Sequence, residues 1–304
     1  MSIAPSPSPV ATLRRRRRGP APTAYVYALP ALILVVGVVH VGIAANAFYS
    51  TLDWNGISPA ADPVGAGNYQ RMADDPIFWT ALRNTGVFAI ATIGIQAVLG
   101  FLLAVLVRTR AILRGLLRTL VFVPVVLAPA VVATAFRFLL TPDGSFNELL
   151  SGLGLGEVTH AWLADPGTAL GAIVAINVWQ YTGYSFLIYD AAMGQIDESV
   201  IEASRIDGAG TGNLLLHVVA PLLKGSHLVL IILGIISSLK LFDLVFLTTA
   251  GGPGTSTQVL TTYIYRQVIG QFNAGYGAAL SVVLVLIAMT FAAIQVRLSL
   301  RAVR

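Results

Sequence analysis

The chain has 304 residues, 56% of them hydrophobic and 11% charged, with a mean hydropathy of +0.78 and a formal net charge of +5. Average soluble domains carry about 25% charged residues, so these values exclude a water-soluble globule. The absence of cysteine excludes disulfides, thiolate chemistry and cysteine-held metals.

Residues 1–23 are rich in Ser, Pro and Arg and read as a disordered tail ahead of a membrane domain at 24–304. Uncharged runs follow at Tyr25–Phe48, Thr85–Val107, Thr119–Phe136, Gly167–Tyr189, Gly225–Leu239 and Ala274–Val296. A bilayer-spanning helix needs about 20 mostly apolar residues. Four runs reach that length. The third does so by extending through Arg137 to Leu140, and the fifth by continuing past Lys240 and Asp243 to about Ala250. The expectation is an all-α polytopic membrane protein with six transmembrane helices. Pro124 and Pro129 should bend the third, because each removes a helix hydrogen bond.

Charge sets the orientation. With the N-terminus in the cytoplasm, that side holds Arg14–Arg18, Arg108, Arg110, Arg114, Arg118, Arg205, Lys224, Arg297, Arg301 and Arg304, against Arg71, Arg83 and Arg266 outside. This is a strong positive-inside asymmetry and places both termini in the cytoplasm. The arginine run also resembles a nucleic-acid arm, but the long apolar run behind it favours a topogenic, lipid-facing role and no nucleic-acid partner. Ala45-Asn46-Ala47 resembles a signal-cleavage site. The apolar run before it is too long for a signal peptide, so the first helix is expected to stay. His40, His160, His217 and His227 are widely spaced and show no metal-ligand pattern.

The segment 196–225 is polar and broken by glycine, where a membrane protein needs only a short turn. Asp197 or Ser199 can cap a helix, and Ser199 with Glu202 fits a capping box. Gly208, Gly210 and Gly212 should end that helix, with a second beginning near Asn213 and interrupted at Pro221. The residues alone allow either an interfacial helix without a partner or a docking element.

Glu202-Ala203-Ser204-Arg205-Ile206-Asp207-Gly208-Ala209, followed by Pro221-Leu222-Leu223, resembles the EAA motif of ABC importer permeases, with Ser204 in place of the second alanine. Asn68-Tyr69, Asn84-Thr85, Gly144-x-x-Asn147, Asn177-x-Trp179 and Phe242-Asp243 with Gly251-Gly252-Pro253 are similar to the carbohydrate-importer branch, the maltose-type and glycerol-phosphate-type permeases. The resemblance covers about residues 25–300. It implies a type I ABC importer permease fold in which Glu202, Ala203, Ser204, Arg205, Asp207, Gly208 and Ala209 couple to an ATPase. It also implies a second, homologous permease, two ATPase subunits, an extracytoplasmic substrate-binding protein and a sugar cargo. Neither lysine, Lys224 before Gly225 or Lys240 before Leu241, belongs to a phosphate-cradling G-x-x-x-x-G-K-[ST] loop. ATP and Mg would therefore bind the partner subunits, leaving this chain without a cofactor or catalytic residue of its own.

Polar residues inside spans usually face a bundle interior or a water-filled path. Asn177, Gln180, Tyr181 and Tyr184 form one stripe of the fourth span. Ser237, Ser238, Lys240 and Asp243 lie in the fifth. In the maltose-type family such positions line the sugar site, and here the plain alternative is glue between helices. Lys240 and Asp243 can neutralise each other, or Lys240 can meet an anionic ligand such as a sugar phosphate. Gly251, Gly252 and Pro253 are by family resemblance an outer gate, and otherwise a turn. A stand-alone secondary transporter would need coupling-ion ligands or inverted repeats. An intramembrane enzyme would need paired groups, whereas Asp190 and Asp243 fall toward opposite faces.

Overall fold

The computed structural model describes residues 22–109 and 114–302, so the arginine run Arg14–Arg18 and Arg110 lie outside the described residues. Two compact units divide at Ala45 and Asn46. The first consists of helix α1 (Pro22–Leu34), a π-helical turn at Val35–His40 and the beginning of α2 (Val41–Tyr49). Its described residues are almost all exposed, from Tyr27 to Val41.

The second unit opens with a short hairpin, β1 (Leu52–Asp53) paired antiparallel with β2 (Asp62–Pro63), Leu52 opposite Pro63. Helices α3 (Gly67–Ala73) and α4 (Pro76–Thr109) follow, then α5 (Arg114–Val126), α6 (Pro129–Leu139), α7 (Ser145–Gly152) and α8 (Ala169–Met193). The loop helices are α9 (Glu198–Ile206), α10 (Thr211–Asn213) and α11 (Ala220–Leu222), the last two joined by a π turn at Leu214–Val219. The chain ends with α12 (Lys224–Leu239), α13 (Asp243–Thr248), α14 (Leu260–Tyr265) and α15 (Ala274–Ala302).

Among the described residues, Leu29–Tyr49, Pro76–Arg108 and Ala274–Arg297 are each long and apolar enough to cross a bilayer. Two further pairs qualify together: Gly115–Val126 with Pro129–Leu139, bent by 94°, and Thr211–Leu222 with Lys224–Leu239, bent by 69°. The sixth expected span is α8. At 25 residues it is long enough, but its polar stripe keeps it out of the apolar set. The count by length and apolarity is therefore three, or five with the bent pairs, and six is compatible with it.

Two expected spans differ in form. The third is two helices meeting at a near right angle. Pro129 opens α6 after an extended Ala128, which leaves the Leu127 carbonyl without a helical partner. The fifth does not continue past Lys240. Its helix stops at Leu239 and α13 restarts at Asp243, with Thr261 Oγ1 donating to the carbonyl of Leu241 in the break. In each break a side chain from another element meets a freed carbonyl, Gln180 that of Leu127 and Thr261 that of Leu241, as the bilayer demands.

α8 is the helix around which the second unit packs, against α4 and α5 above all. One cluster of buried side chains joins Phe88, Val132, Ile173, Ile176, Val245 and Val259, and another joins Val107, Phe186, Tyr189, Leu214 and Leu230. Helices in lipid associate by close packing rather than by the hydrophobic effect. Gly183 of α8 shows how close: a Cβ there would lie 2.2 Å from the Val121 carbonyl oxygen of α5. Gly183→Ala should lower stability by about 1–3 kcal/mol through overpacking, read as a clear fall in melting temperature in detergent. Gly171→Ala on the same helix, with nothing within 4 Å, should leave it unchanged. Equal effects of the two substitutions would refute this packing.

Candidate translocation site and coupling loop

A cavity of about 320 Å³ lies between α4, α8, α12 and α13. Asn177, Gln180, Tyr181, Tyr184, Ser237, Ser238, Lys240 and Asp243 all line it. The i, i+3, i+4, i+7 spacing puts the four α8 residues on one helical face. The others come from the end of α12 and the break after it.

Their surroundings separate them into two groups. Gln180, 1% exposed, donates through Nε2 to the orphaned Leu127 carbonyl at 3.0 Å. Ser238, also buried, bonds back to the Gly234 carbonyl at 2.8 Å. Both are occupied in holding the structure. Asn177, Tyr181, Tyr184 and Ser237 are partly or well exposed to the cavity. Lys240 and Asp243 are exposed too, and no ion pair joins them among the described residues, because the helix that would have set them one turn apart is interrupted. Lys240 caps the negative end of α12, and Asp243 opens α13, where backbone N–H groups are unpaired.

The sequence reading missed the α4 wall. Gln96 Nε2 donates to Asn177 Oδ1 at 3.0 Å and to its carbonyl at 3.2 Å, which fixes the Asn177 amide, and Thr92 sits one turn earlier. Two polar residues four apart in an otherwise apolar span were the signal.

In the loop, α9 is capped by Asp197, whose carboxylate accepts from the Ser199 N–H at 2.9 Å and from its hydroxyl at 2.8 Å. Ser199 is therefore inside the helix, and no capping box with Glu202 forms. The helix ends in a Schellman arrangement: Gly208 N–H to the Arg205 carbonyl at 3.1 Å and Ala209 N–H to Ser204 at 3.0 Å. Gly208 has φ +84°, which a side chain adopts only with strain. Gly210 and Gly212 are not needed as breakers, having ordinary φ and open space around them. The second helix starts at Thr211, two residues before the expected Asn213, and bends at Leu223, just after Pro221. Glu202, Ala203, Arg205, Asp207 and Gly208 are exposed, and Ser204 and Ala209 half-buried. Ile201 packs inward against Leu214 and its neighbours.

The segment at Gly251, Gly252 and Pro253 is a wired turn. Thr257 Oγ1 donates to the Gly252 carbonyl at 2.7 Å, and Asn84 Nδ2 on α4 holds the Ser256 and Gln258 carbonyls at 2.9 and 3.0 Å. Asn147 does the same for the 141–162 segment. It donates to the Thr141, Pro142 and His160 carbonyls while accepting from Trp162 Nε1. No group of three or more His, Asp or Glu that could hold a metal occurs among the described residues.

The family described as "binding-protein-dependent transport system inner membrane component" matches residues 96–304. The chain belongs to that family. The permease is 34% identical to a probable ABC transporter permease protein of Pyrococcus horikoshii over 264 residues, 86% of this chain and 90% of that one. It is 31% identical to a probable starch degradation products transport permease of Thermoanaerobacterium thermosulfurigenes over 275 residues, 90% and 93% of the two chains. The fold matches a chain in the crystal structure of a bacterial ABC transporter that imports alginate, with a TM-score of 0.79 and 20% identity over 93% of this chain and 96% of the other. The permease is thus a multi-pass inner-membrane translocation component and not an enzyme.

Outside the spans, Asp75 at the head of α4 gathers the permease's outer elements. Its Oδ2 accepts from the Tyr263 and Tyr276 hydroxyls, the latter at 2.5 Å, and its Oδ1 accepts from the Ile77 N–H at 2.8 Å. The Arg71 guanidinium covers the Tyr276 ring at 4.4 Å. Burial pushes the Asp75 carboxyl up, but these hydrogen bonds outweigh it and hold it below 3.8. Burial, then the bond to Asp75, pushes Tyr263 up to about 12. The Asp75 contribution is whole above its ordinary range and fades as pH falls through the lowered value. The Tyr263 contribution is whole below pH 10 and fades as pH rises toward about 12. Tyr263→Phe should therefore remove part of the alkaline loss of thermal stability between those values. An alkaline limb identical to that of the parent would contradict the assignment.

Proposed function

We propose that the permease forms, with a second homologous permease, the membrane path of an ATP-driven importer for a neutral sugar. It is proposed to couple to two ATPase subunits through α9 and to receive its cargo from an extracytoplasmic binding protein. The observation that carries the reading is the cavity. Its lining offers exposed amide, hydroxyl and phenol groups together with aromatic faces, which suit a ligand rich in hydroxyl groups with apolar C–H faces. Its volume of 320 Å³ stands at the small end of the range of about 300–1,000 Å³ for ligand pockets, and the second permease would supply the facing wall. Among the described residues the lining carries one cation and one anion, Lys240 and Asp243, which leave no net charge and disfavour a phosphate ester facing Asp243. The relative that carries starch degradation products supports a saccharide cargo. Gly251, Gly252 and Pro253, held by Thr257, are proposed as the outer contact.

The docking role rests on α9. Ile206 is 86% exposed, Val200 is 38% exposed, and Ala203, Glu202 and Arg205 share that outer surface without ion pairs among the described residues. Val200, Ala203 and Ile206 recur every third residue as one apolar strip that no other described residue buries, which suits a docking partner. A rigid-body displacement of α9 by closing ATPases would carry the spans between inward-facing and outward-facing forms.

Ile206→Asp or Gly208→Pro should abolish co-purification of the ATPase subunits, while Asn177→Ala should leave assembly intact and lower uptake about tenfold, the worth of a hydrogen bond or two. Retention of the ATPases by both variants would remove the docking role. Lys240→Met should keep neutral-sugar uptake within about twofold, since the ligand carries no charge for it. Preferred uptake of a sugar phosphate by the parent, lost in Lys240→Met, would establish the phosphate reading instead.

A further inference from the structure

Tyr189 and Asp190 are adjacent residues near the cytoplasmic end of α8. Both are buried, at 0% and 3% exposure, and neither lines the cavity or lies in α9. The Asp190 carboxylate meets guanidinium groups from two other helices. Nε of Arg108, at the end of α4, is 3.1 Å from Oδ1, and Nη2 of Arg118, on α5, contacts Oδ2. Arg108 also donates through Nη2 to the main-chain carbonyl of Asp190 at 2.6 Å, in the last turn of α8. A carboxylate at that end of a helix faces the negative pole of the helix dipole. Its burial is tolerable only with cations fixed against it.

Tyr189 reaches the remaining neighbours. Its hydroxyl is 2.6 Å from Nδ1 of His227 on α12, whose Nε2 is 3.1 Å from the Ala220 carbonyl in α11. A carbonyl only accepts, so Nε2 donates to Ala220, and in the neutral imidazole Nδ1 then accepts from the tyrosine. Two consecutive side chains thus fasten α8 to α4, α5, α12 and the 211–222 helix that leads away from α9. α8 itself runs unbroken from this point to the cavity, with Tyr184 only five residues before Tyr189. The helix pairs beside it are bent by 94° and 69°.

We propose that Asp190, clasped by Arg108 and Arg118 and seconded by Tyr189, is the positioning node that makes the cytoplasmic ends of α4, α5 and α8 move as one body, so that displacement of α9 reaches the cavity. The inference rests on the docking role proposed for α9. Ion-paired charges on three helices, with hydrogen bonds from Arg118 to the carboxylate and from Arg108 to the Asp190 carbonyl, hold one relative geometry and resist intermediate ones, which is what a two-state transmission requires.

The test uses the importer assembled with its ATPase subunits in lipid vesicles, with ATP hydrolysis and sugar uptake measured on the same preparation. Asp190→Asn should leave the ATPases bound and hydrolysis within about twofold, while uptake per ATP falls about fivefold or more. Asp190→Glu should restore much of the ratio. Arg118→Gln should lower the ratio less, since Arg108 remains, and adding it to Asp190→Asn should change nothing further. Hydrolysis and uptake falling together at an unchanged ratio, or additive effects in the double variant, would overturn the proposal. If Asp190→Asn does not assemble, the ratio in Arg118→Gln decides, because that partly exposed side chain is removed without stranding Asp190. Failure of the docking role shows separately, as ATPase binding that survives both Ile206→Asp and Gly208→Pro.

Discussion

A bilayer offers no water to an unpaired polar group, and this permease places its most polar long helix at the centre of the fold. α8 carries Asn177, Gln180, Tyr181, Thr182, Tyr184, Ser185 and Asp190 within fourteen residues. Such a helix is stable in a membrane only if other helices cover it and meet its hydrogen bonds. The surrounding architecture follows from that requirement. α4 lies along it, with Gln96 holding Asn177. α5 approaches until Gly183 touches the Val121 carbonyl, and the broken end of α5 lends its Leu127 carbonyl to Gln180. What the neighbours leave uncovered is the cavity.

The breaks in the other helices belong to the same logic. Gln180 is buried and needs a hydrogen-bond acceptor from a neighbouring helix. The 94° turn between α5 and α6 supplies the acceptor and brings Pro129 to the cavity wall. The stop at Leu239 similarly turns Lys240 and Asp243 into the cavity from the ends of two helices, each against a pole that favours its charge. Beside these bent pairs α8 runs unbroken, and it joins the cavity to the loop that carries α9.

Local features were legible in the sequence. Pro129 marks the bend of the third span, whereas Pro124, also expected to bend it, lies inside α5; Gly208 marks a helix end with positive φ, and the polar stripe of α8 contains residues that line the cavity. What stayed hidden depends on contacts distant in sequence. Nothing near Lys240 marks a break, because Thr261, twenty residues away, holds the Leu241 carbonyl open. Asp190 stood alone among basic residues whose separations from it, 82 and 72 positions, no local pattern encodes. The asparagines of the family-like stretches, Asn68, Asn84 and Asn147, proved to be fasteners of loop carbonyls. Sequence chemistry alone does not separate such an amide from a ligand contact.

The central claim is that the face of α8 bearing Tyr184 opens to one side of the membrane and then to the other as the ATPase subunits close. The chain contains no cysteine, so a single thiol at Tyr184→Cys reports that exposure directly. Alkylation by a membrane-impermeant reagent, applied from either side of oriented vesicles holding the assembled importer, is the decisive measurement. The account predicts labelling from the cytoplasmic side without nucleotide and from the outer side when a non-hydrolysable ATP analogue holds the ATPases closed. Labelling from the same side in both states would contradict it.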